Sequence, residues 1–278
     1  MNDKSPKTII VIPAYNEASA LPKVLDDLLR HFSPENILVI DDGSTDETSL
    51  AVKEKKIKII QHFLNRGAGA ATKTGLVYAF DELRADLAVT FDADGQHDHN
   101  DILNLINPII KGEADVVLGS RFLNEAPRSL LRGIKRNPPK PPALPSPPAG
   151  GFGGFSAPPS PQQPAEHSAT EDKQNLPLFR RVANYCANFF TWLLFGVWVS
   201  DSQSGFKALS REAWQKIEIH GDHFEFCSEI IAEIKRNKLR YVEIPIKVYY
   251  SQYSQSKGQN LVNGLKTLAR LIINQFSE

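Results

Sequence analysis

Thr8-Ile-Ile-Val-Ile-Pro-Ala-Tyr-Asn-Glu17 is the stretch from which the architecture is read: an apolar, β-prone run stops at a proline and passes into polar residues. A strand that is apolar without alternation is buried on both faces, as in parallel sheets covered by helices. From Glu17 to about Phe32, Leu21, Val24, Leu25, Leu28 and Leu29 recur at helical spacing, and Pro22 falls early enough in that helix to be tolerated. The alternation then repeats. Asn36–Ile40 reads as a strand, Asp46-Glu-Thr opens a helix with acids in its first turn, and Ile57–Gln61 is a third strand. A helix over Ala68–Arg84, a strand over Leu87–Phe91, a helix over Asn100–Ile110 and a strand over Ala114–Leu118 complete the first half. Strands and helices alternating at this spacing predict an α/β fold with a parallel, doubly wound sheet, whose ligands sit beyond the carboxyl ends of the strands.

Chemistry-bearing residues gather at those ends. Pro13-Ala-Tyr-Asn-Glu17 follows the first strand, Asp41-Asp-Gly-Ser-Thr-Asp46 the second and Asn65-Arg-Gly67 the third. Asp92-Ala-Asp-Gly-Gln96 follows the fourth and Gly119-Ser-Arg121 the fifth. Turn chemistry alone would explain any one of them. Two carboxylates one residue apart point to opposite faces within a strand, but a turn at the strand end brings both to one ion. Oxygen-only ligands of this kind suit Mg²⁺ or Mn²⁺ held jointly with substrate phosphates. Gly67-Ala-Gly69 lacks the third glycine of a dinucleotide fingerprint and follows the wrong strand, so it reads as close backbone packing at a helix start.

Lys plus Arg (32) equals Asp plus Glu (32), which leaves no polyanion signature and excludes nucleic acid as an expected partner. Cys186 and Cys227 lack metal spacing and read as buried thiols, and the polar start of the chain shows no secretion signal. Between Pro138 and Pro164 there are eleven prolines and a Gly150-Gly-Phe-Gly-Gly154 run, a composition that predicts a disordered or polyproline-like insert over residues 137–177. Helical patterns resume at Arg180–Val199, Ser210–Ile217 and Phe224–Asn237, then an edge strand within Leu239–Val248 broken at Pro245, and an amphipathic helix over Leu261–Phe276. Val182–Val199 is marginal in length for a membrane span and is interrupted by Asn184 and Asn188, so it reads as an interfacial or buried helix.

Taken together, these motifs resemble the family 2 inverting glycosyltransferases with a GT-A (Rossmann-like) nucleotide-sugar-binding fold, in the branch of dolichol-phosphate mannosyltransferase and bacterial polyprenyl-phosphate glycosyltransferases. The likeness rests on the five strand-end motifs together with Asp201-Ser-Gln-Ser-Gly-Phe206 and Tyr253-Ser-Gln-Ser-Lys-Gly-Gln259. It implies a nucleotide-sugar-binding half over 1–136, the insert over 137–177 and an acceptor-side half over 178–278. It also implies that Pro13, Tyr15, Glu17, Asp41, Asp42, Ser44, Asn65, Gly67, Asp92 and Lys257 face the donor. Asp92, Asp94 and Gln96 resemble the family's Mg²⁺ or Mn²⁺ site, and Asp94, Arg121 and Asp201 stand as catalytic candidates. Arg121, Arg180, Arg181, Gln203 and Ser204 are candidates for the acceptor.

The resemblance implies transfer of a hexose from a GDP-mannose- or UDP-glucose-type donor to a polyprenyl or dolichyl phosphate. The expected place is cytoplasmic, at the inner face of the membrane. Two other readings stay open: transfer to a saccharide or protein hydroxyl with Asp201 as general base, and a Pro-rich scaffold for proline-recognition domains. A phosphate acceptor arrives ionised and needs cations rather than a base. The insert departs from the family pattern and, with Arg128, Arg132, Lys135, Arg136 and Lys140 on its flank, bears on how the acceptor enters.

Overall fold

A computed structural model describes residues 6–123, 178–219, 221 and 225–249. The Pro-rich insert, the basic flank from Arg128 to Lys140, Lys257 with its motif and the helix expected over Leu261–Phe276 lie outside the described residues. The first half alternates as its pattern predicts: β1 (Thr8–Ala14), α1 (Leu21–Leu29), β2 (Ile37–Asp41), α2 (Thr48–Glu54), β3 (Lys58–Gln61), α3 (Ala68–Val77), β4 (Leu87–Thr90), α4 (Asp101–Ile110) and β5 (Val116–Ser120). The second half adds α5 (Leu178–Phe195), β6 (Lys207–Ser210), α6 (Arg211–Trp214), α7 (Glu225–Arg236) and β7 (Tyr241–Pro245).

Among the described residues, seven strands form one sheet in the order β3-β2-β1-β4-β6-β5-β7. All pairings are parallel except those of β6, which runs antiparallel between β4 and β5. Its four residues, Lys-Ala-Leu-Ser, carry no period that marks them as a strand; the sequence reading leaves Lys207–Leu209 unassigned and starts the next helix at Ser210, which instead closes the strand. The sheet takes them up because β4 and β5 each leave an edge that β6 satisfies. Among the described residues β7 pairs with β5 alone, the edge position expected of Pro245.

Strand residues alternate between two apolar layers. Ile9, Val11, Leu38, Ile40, Ala88, Val116 and Leu209 meet α3 and α7 through Ala71, Leu76, Ile230 and Ile234. Ile10, Ile12, Val39, Val89, Val117 and Ala208 face α1 and α4 through Leu25, Leu28, Ile102 and Leu105. On α1 the predicted stripe is the buried one, but the helix begins at Leu21 rather than Glu17. Residues 17–20 form a turn in which the Ala20 and Leu21 amides both donate to the Glu17 carbonyl. α3 lies close against the sheet because residue 75 is glycine; a Cβ there would come within 2.2 Å of Val11 Cγ1. After Val77 the helix widens into a π-turn over Tyr78–Glu82, so the expected single helix to Arg84 is two segments. Among the described residues no helix is long and apolar enough to cross a membrane.

β1 and β4 are neighbours although α1, β2, α2, β3 and α3 separate them in sequence, and the chain winds away from them in opposite directions. That is a switch point, where a crevice opens at the carboxyl ends. Because β6 is antiparallel, with Thr90 opposite Lys207, the residues just before it lie at the same edge as those just after β4.

Candidate active site

The loops after β1 and β2 are laced together by backbone amides that donate to side chains of the facing loop. Asn16 N donates to Ser44 Oγ (2.9 Å), Glu17 N to Thr48 Oγ1 (2.8 Å), Ala18 N to Asp46 Oδ2 (3.1 Å) and Thr45 N to Asn16 Oδ1 (2.8 Å). This leaves Tyr15 42% exposed on the rim and Glu17 buried at 8%, with Pro13 half-buried between sheet and loop. Asp46, expected inside the first turn of α2, instead precedes it and accepts from Thr48 N (3.0 Å).

The two aspartates after β2 divide the work of framing. Asp41 is buried and accepts from Ser44 N (2.9 Å), Ser49 Oγ (2.7 Å) and Gln61 Nε2 (3.1 Å). Burial opposes its charge, and those hydrogen bonds overcome it, holding the carboxyl below the usual range. Asp42 accepts from Arg66 N (3.0 Å), Gly67 N (2.7 Å) and the His62 ring (Nδ1, 2.6 Å). It thereby caps the start of α3, where a negative charge meets unpaired backbone N–H groups. Gly67 sits there at φ 104°, a conformation that glycine adopts without strain. Asp41, Asp42 and Ser44, expected to face the donor, are thus engaged in holding the loops, while Asn65 is exposed beside them.

Beyond β4 the chain turns so that Asp92 and Asp94 feel each other. Burial and then the charge of Asp92 push the Asp94 carboxyl up to about 6. For Asp92 burial acts in the same sense but is outweighed by His97, Arg121 and Lys207, which leave its carboxyl below the usual range. Asp94 Oδ1 accepts from Gln96 N (3.0 Å), and the Gln96 carbonyl accepts from Tyr249 N (2.8 Å), which pins the loop to the segment after β7. Lys207, on β6, is buried with its Nζ donating to the Ser204 carbonyl. Two hard carboxylates, one ionised and the other pushed up by its charge, fit a divalent cation shared with a diphosphate. Among the described residues no group of three or more His, Cys, Asp or Glu forms a closed cage. One or two carboxylates plus substrate phosphates is the habit of Mg²⁺.

Arg121 follows β5 and Asp201 precedes β6. Arg121 Nε and Nη2 donate to Asp201 Oδ2 (2.7 Å) and Oδ1 (2.8 Å), and the Arg121 backbone N adds a third bond to Oδ2 (3.1 Å). The Asp201 side chain is fully buried and that of Arg121 is 24% exposed, so the carboxylate holds a guanidinium that reaches the surface. Below them Glu243 accepts from Ser200 N (2.8 Å) and Oγ (2.7 Å), with burial pushing its carboxyl up. Gln203 is half-buried and Ser204 buried at the same edge. Arg180 and Arg181 lie in the first turn of α5, where only the helix itself is described.

Sequence reasoning missed His62, His97 and Lys207. His97 directly follows Gln96 and was open to notice; Lys207 was hidden with the strand that carries it.

Comparison with known proteins places these residues in a family. A family model, glycosyl transferase family 2, matches residues 9–153. The UDP-N-acetylglucosamine–dolichyl-phosphate N-acetylglucosaminyltransferase of Methanococcus voltae is 35% identical over 95% of this chain and 94% of its own length. The polyprenol monophosphomannose synthase of Mycolicibacterium smegmatis is 26% identical over 92% of this chain and 83% of its own. Among solved structures, Mycobacterium tuberculosis glucosyl-3-phosphoglycerate synthase with phosphoglyceric acid superposes at a TM-score of 0.61 with 16% identity, covering 98% of this chain and 79% of that one. The same enzyme with Mn²⁺, UDP and glucosyl-3-phosphoglycerate gives 0.55 at 15% identity over 98% and 79%. At that identity the structural likeness speaks for the fold alone. The chain belongs to glycosyl transferase family 2 and is a glycosyltransferase with the GT-A fold.

Proposed function

We propose that this enzyme transfers a hexose or N-acetylhexosamine from a nucleoside-diphosphate sugar to a polyprenyl or dolichyl phosphate, with inversion at the anomeric carbon. The observation that carries the acceptor class is the Arg121–Asp201 pair: both Asp201 oxygens are engaged by Arg121. A hydroxyl acceptor must lose a proton to a base in the transition state. A phosphate monoester needs none; it needs a cation to hold it in line, and a preorganised guanidinium supplies that. The names of two relatives, which act on dolichyl phosphate and make polyprenol monophosphomannose, support the same acceptor.

In this reading Tyr15, Glu17 and the frame set by Asp41 and Asp42 receive the nucleoside. Asp92, Asp94 and Gln96 hold Mg²⁺ or Mn²⁺, which when bound neutralises charge growing on the leaving diphosphate. Arg121 orients the acceptor phosphate, whose oxygen attacks the anomeric carbon from the face opposite the departing nucleoside diphosphate. Gln203 and Ser204 border the sugar, and Arg180, Arg181 and Lys257 add cations on the acceptor and donor sides. Tyr185, Phe189, Trp192 and Leu193 recur along one face of α5 and are 63, 41, 43 and 59% exposed, and Trp198, 43% exposed, packs edge-on to Tyr185. Such a face supports peripheral attachment to the membrane that carries the lipid acceptor.

The test presents vesicles containing polyprenyl phosphate with radiolabelled UDP-N-acetylglucosamine, UDP-glucose or GDP-mannose, with and without Mn²⁺. Labelled lipid that is cleaved by mild acid is the expected result. Label on an oligosaccharide or protein acceptor, with none in lipid for any donor, would restore Asp201 as a base and refute the phosphate reading.

A further inference from the structure

Among the described residues, one buried polar ring at the site is left over by that mechanism. His97 has a side chain 4% exposed, while the Asp92 carboxylate it bonds is 41% exposed. Its Nε2 lies 2.8 Å from Asp92 Oδ2, and its Nδ1 is buried with no partner among the described residues. The ring is wedged between Phe206, 4.9 Å away between centroids, and Phe91, at 5.9 Å, and those two phenyl rings meet edge-on at 5.2 Å. Its backbone is fixed as well, in an antiparallel bridge to Val248 flanked by the Tyr249 N to Gln96 O bond. On the other side of the carboxylate stands Gly205, where a Cβ would come within 2.6 Å of Asp92 Oδ1.

We propose that His97 is a positioning residue for the divalent cation: it donates Nε2–H to Asp92 Oδ2 and, with Gly205 opposite, holds the carboxylate in the one orientation that faces the ion, without itself binding metal. The proposal rests on the reading of Asp92 and Asp94 as cation ligands. The chemistry follows from the donor inventory. A carboxylate accepts only, so the ring nitrogen facing it, Nε2, carries the proton. Nδ1 is buried on the other side of the ring, so the ring has no second nitrogen turned toward the site with which to coordinate. It is the inverse of the familiar arrangement in which a carboxylate steers a metal-bound imidazole. Phe91 and Phe206 prevent the ring from swinging, so the hydrogen bond is preorganised rather than recruited by the ion. Gly205 has a second consequence: without a side chain it leaves Asp92 just enough room, so the carboxylate is confined from both sides.

The experiment is Mn²⁺ binding followed by loss of the free-ion EPR signal, alone and with UDP or GDP, alongside thermal unfolding without metal. His97→Phe keeps an aromatic ring in the pocket and removes the donor; His97→Gln restores an N–H donor; Gly205→Ala crowds Asp92 from the other side; Asp92→Asn is the control. The expected result is a loss of Mn²⁺ affinity of about 10- to 100-fold for His97→Phe, the usual cost of removing a partner of a metal ligand. Gly205→Ala should also weaken binding, His97→Gln should recover most of the loss, and the metal-free melting temperature of His97→Phe should not fall. Wild-type affinity in both His97→Phe and Gly205→Ala, with Asp92→Asn impaired, overturns the positioning role while leaving the cation reading intact. Failure of the wild type itself to bind Mn²⁺ with either nucleotide overturns the cation reading, and this proposal with it. Should His97→Phe not fold, the Gly205→Ala and His97→Gln affinities decide the matter alone.

Discussion

Replacing Asp94 by Asn should make the metal-free protein more stable at neutral pH, although it removes a residue proposed to be essential. The Asp94 carboxyl is pushed up to about 6 by burial and by the charge of Asp92, from an ordinary value of 3.8. A carboxyl raised in the folded state costs nothing below pH 3.8, where both states are protonated. Its cost grows as pH rises from 3.8 to about 6, because the unfolded chain ionises first, and is complete above that. At about 1.4 kcal/mol per pH unit the gap amounts to about 3 kcal/mol, an upper bound for a pair that shares its protons. Asparagine removes the charge and keeps an oxygen for the Gln96 amide, whose bond to Asp94 Oδ1 is 3.0 Å. Urea unfolding in EDTA should therefore show the variant and the wild type equal near pH 4. The variant should gain up to about 3 kcal/mol by pH 7.5, or several degrees in melting temperature. Mn²⁺ with a nucleoside diphosphate should stabilise the wild type and leave Asp94→Asn unmoved, and transfer activity should be lost. A variant no more stable than wild type at pH 7.5, or a gap that does not change with pH, would refute the reasoning that Asp94 is an uncompensated carboxylate beside the charge of Asp92, waiting there for a cation.

Asp201→Asn should slow transfer by loosening Arg121 and cost about 1–3 kcal/mol in urea unfolding, since it breaks a buried pair whose other member reaches solvent. Its pH–rate profile should keep the wild-type limbs; loss of the basic limb would mark Asp201 as a base after all. Trp192→Ser with Tyr185→Ser should lower co-sedimentation with anionic vesicles while stability stays within about 1 kcal/mol, because both side chains are exposed. Gly75→Ala should destabilise by about 1–3 kcal/mol, as its Cβ would strike Val11 Cγ1 at 2.2 Å; a neutral result would show that α3 can shift off the sheet.

How much of this was legible beforehand varies with the kind of interaction. Local periodicity marked β1 through β5 and their helices, because a strand buried on both faces and a helix with one apolar stripe must each write their pattern into consecutive residues. The end of α1 nearest the site begins a turn later than its pattern suggests, since Glu17 spends its carbonyl on closing the loop. Asp41 and Asp42 were recognised as important, yet their hydrogen bonds turn inward to Ser49, Gln61, His62 and the start of α3. That could not be read from spacing, because the partners come from three other segments.

The layered α/β class, the strand ends where chemistry gathers and the carboxylate pair after β4 are local facts of composition and period. What stands beside them is set by contacts between distant segments. β6, four residues without a pattern of their own, becomes a strand because β4 and β5 leave it paired on both sides, and running antiparallel it delivers Gly205 and Lys207 to Asp92. The same fold sets Asp201 against Arg121 across 80 residues of chain and packs His97 between two phenyl rings. A carboxylate's role depends on which donors surround it, and that is a property of contacts distant in sequence rather than of the residues next to it.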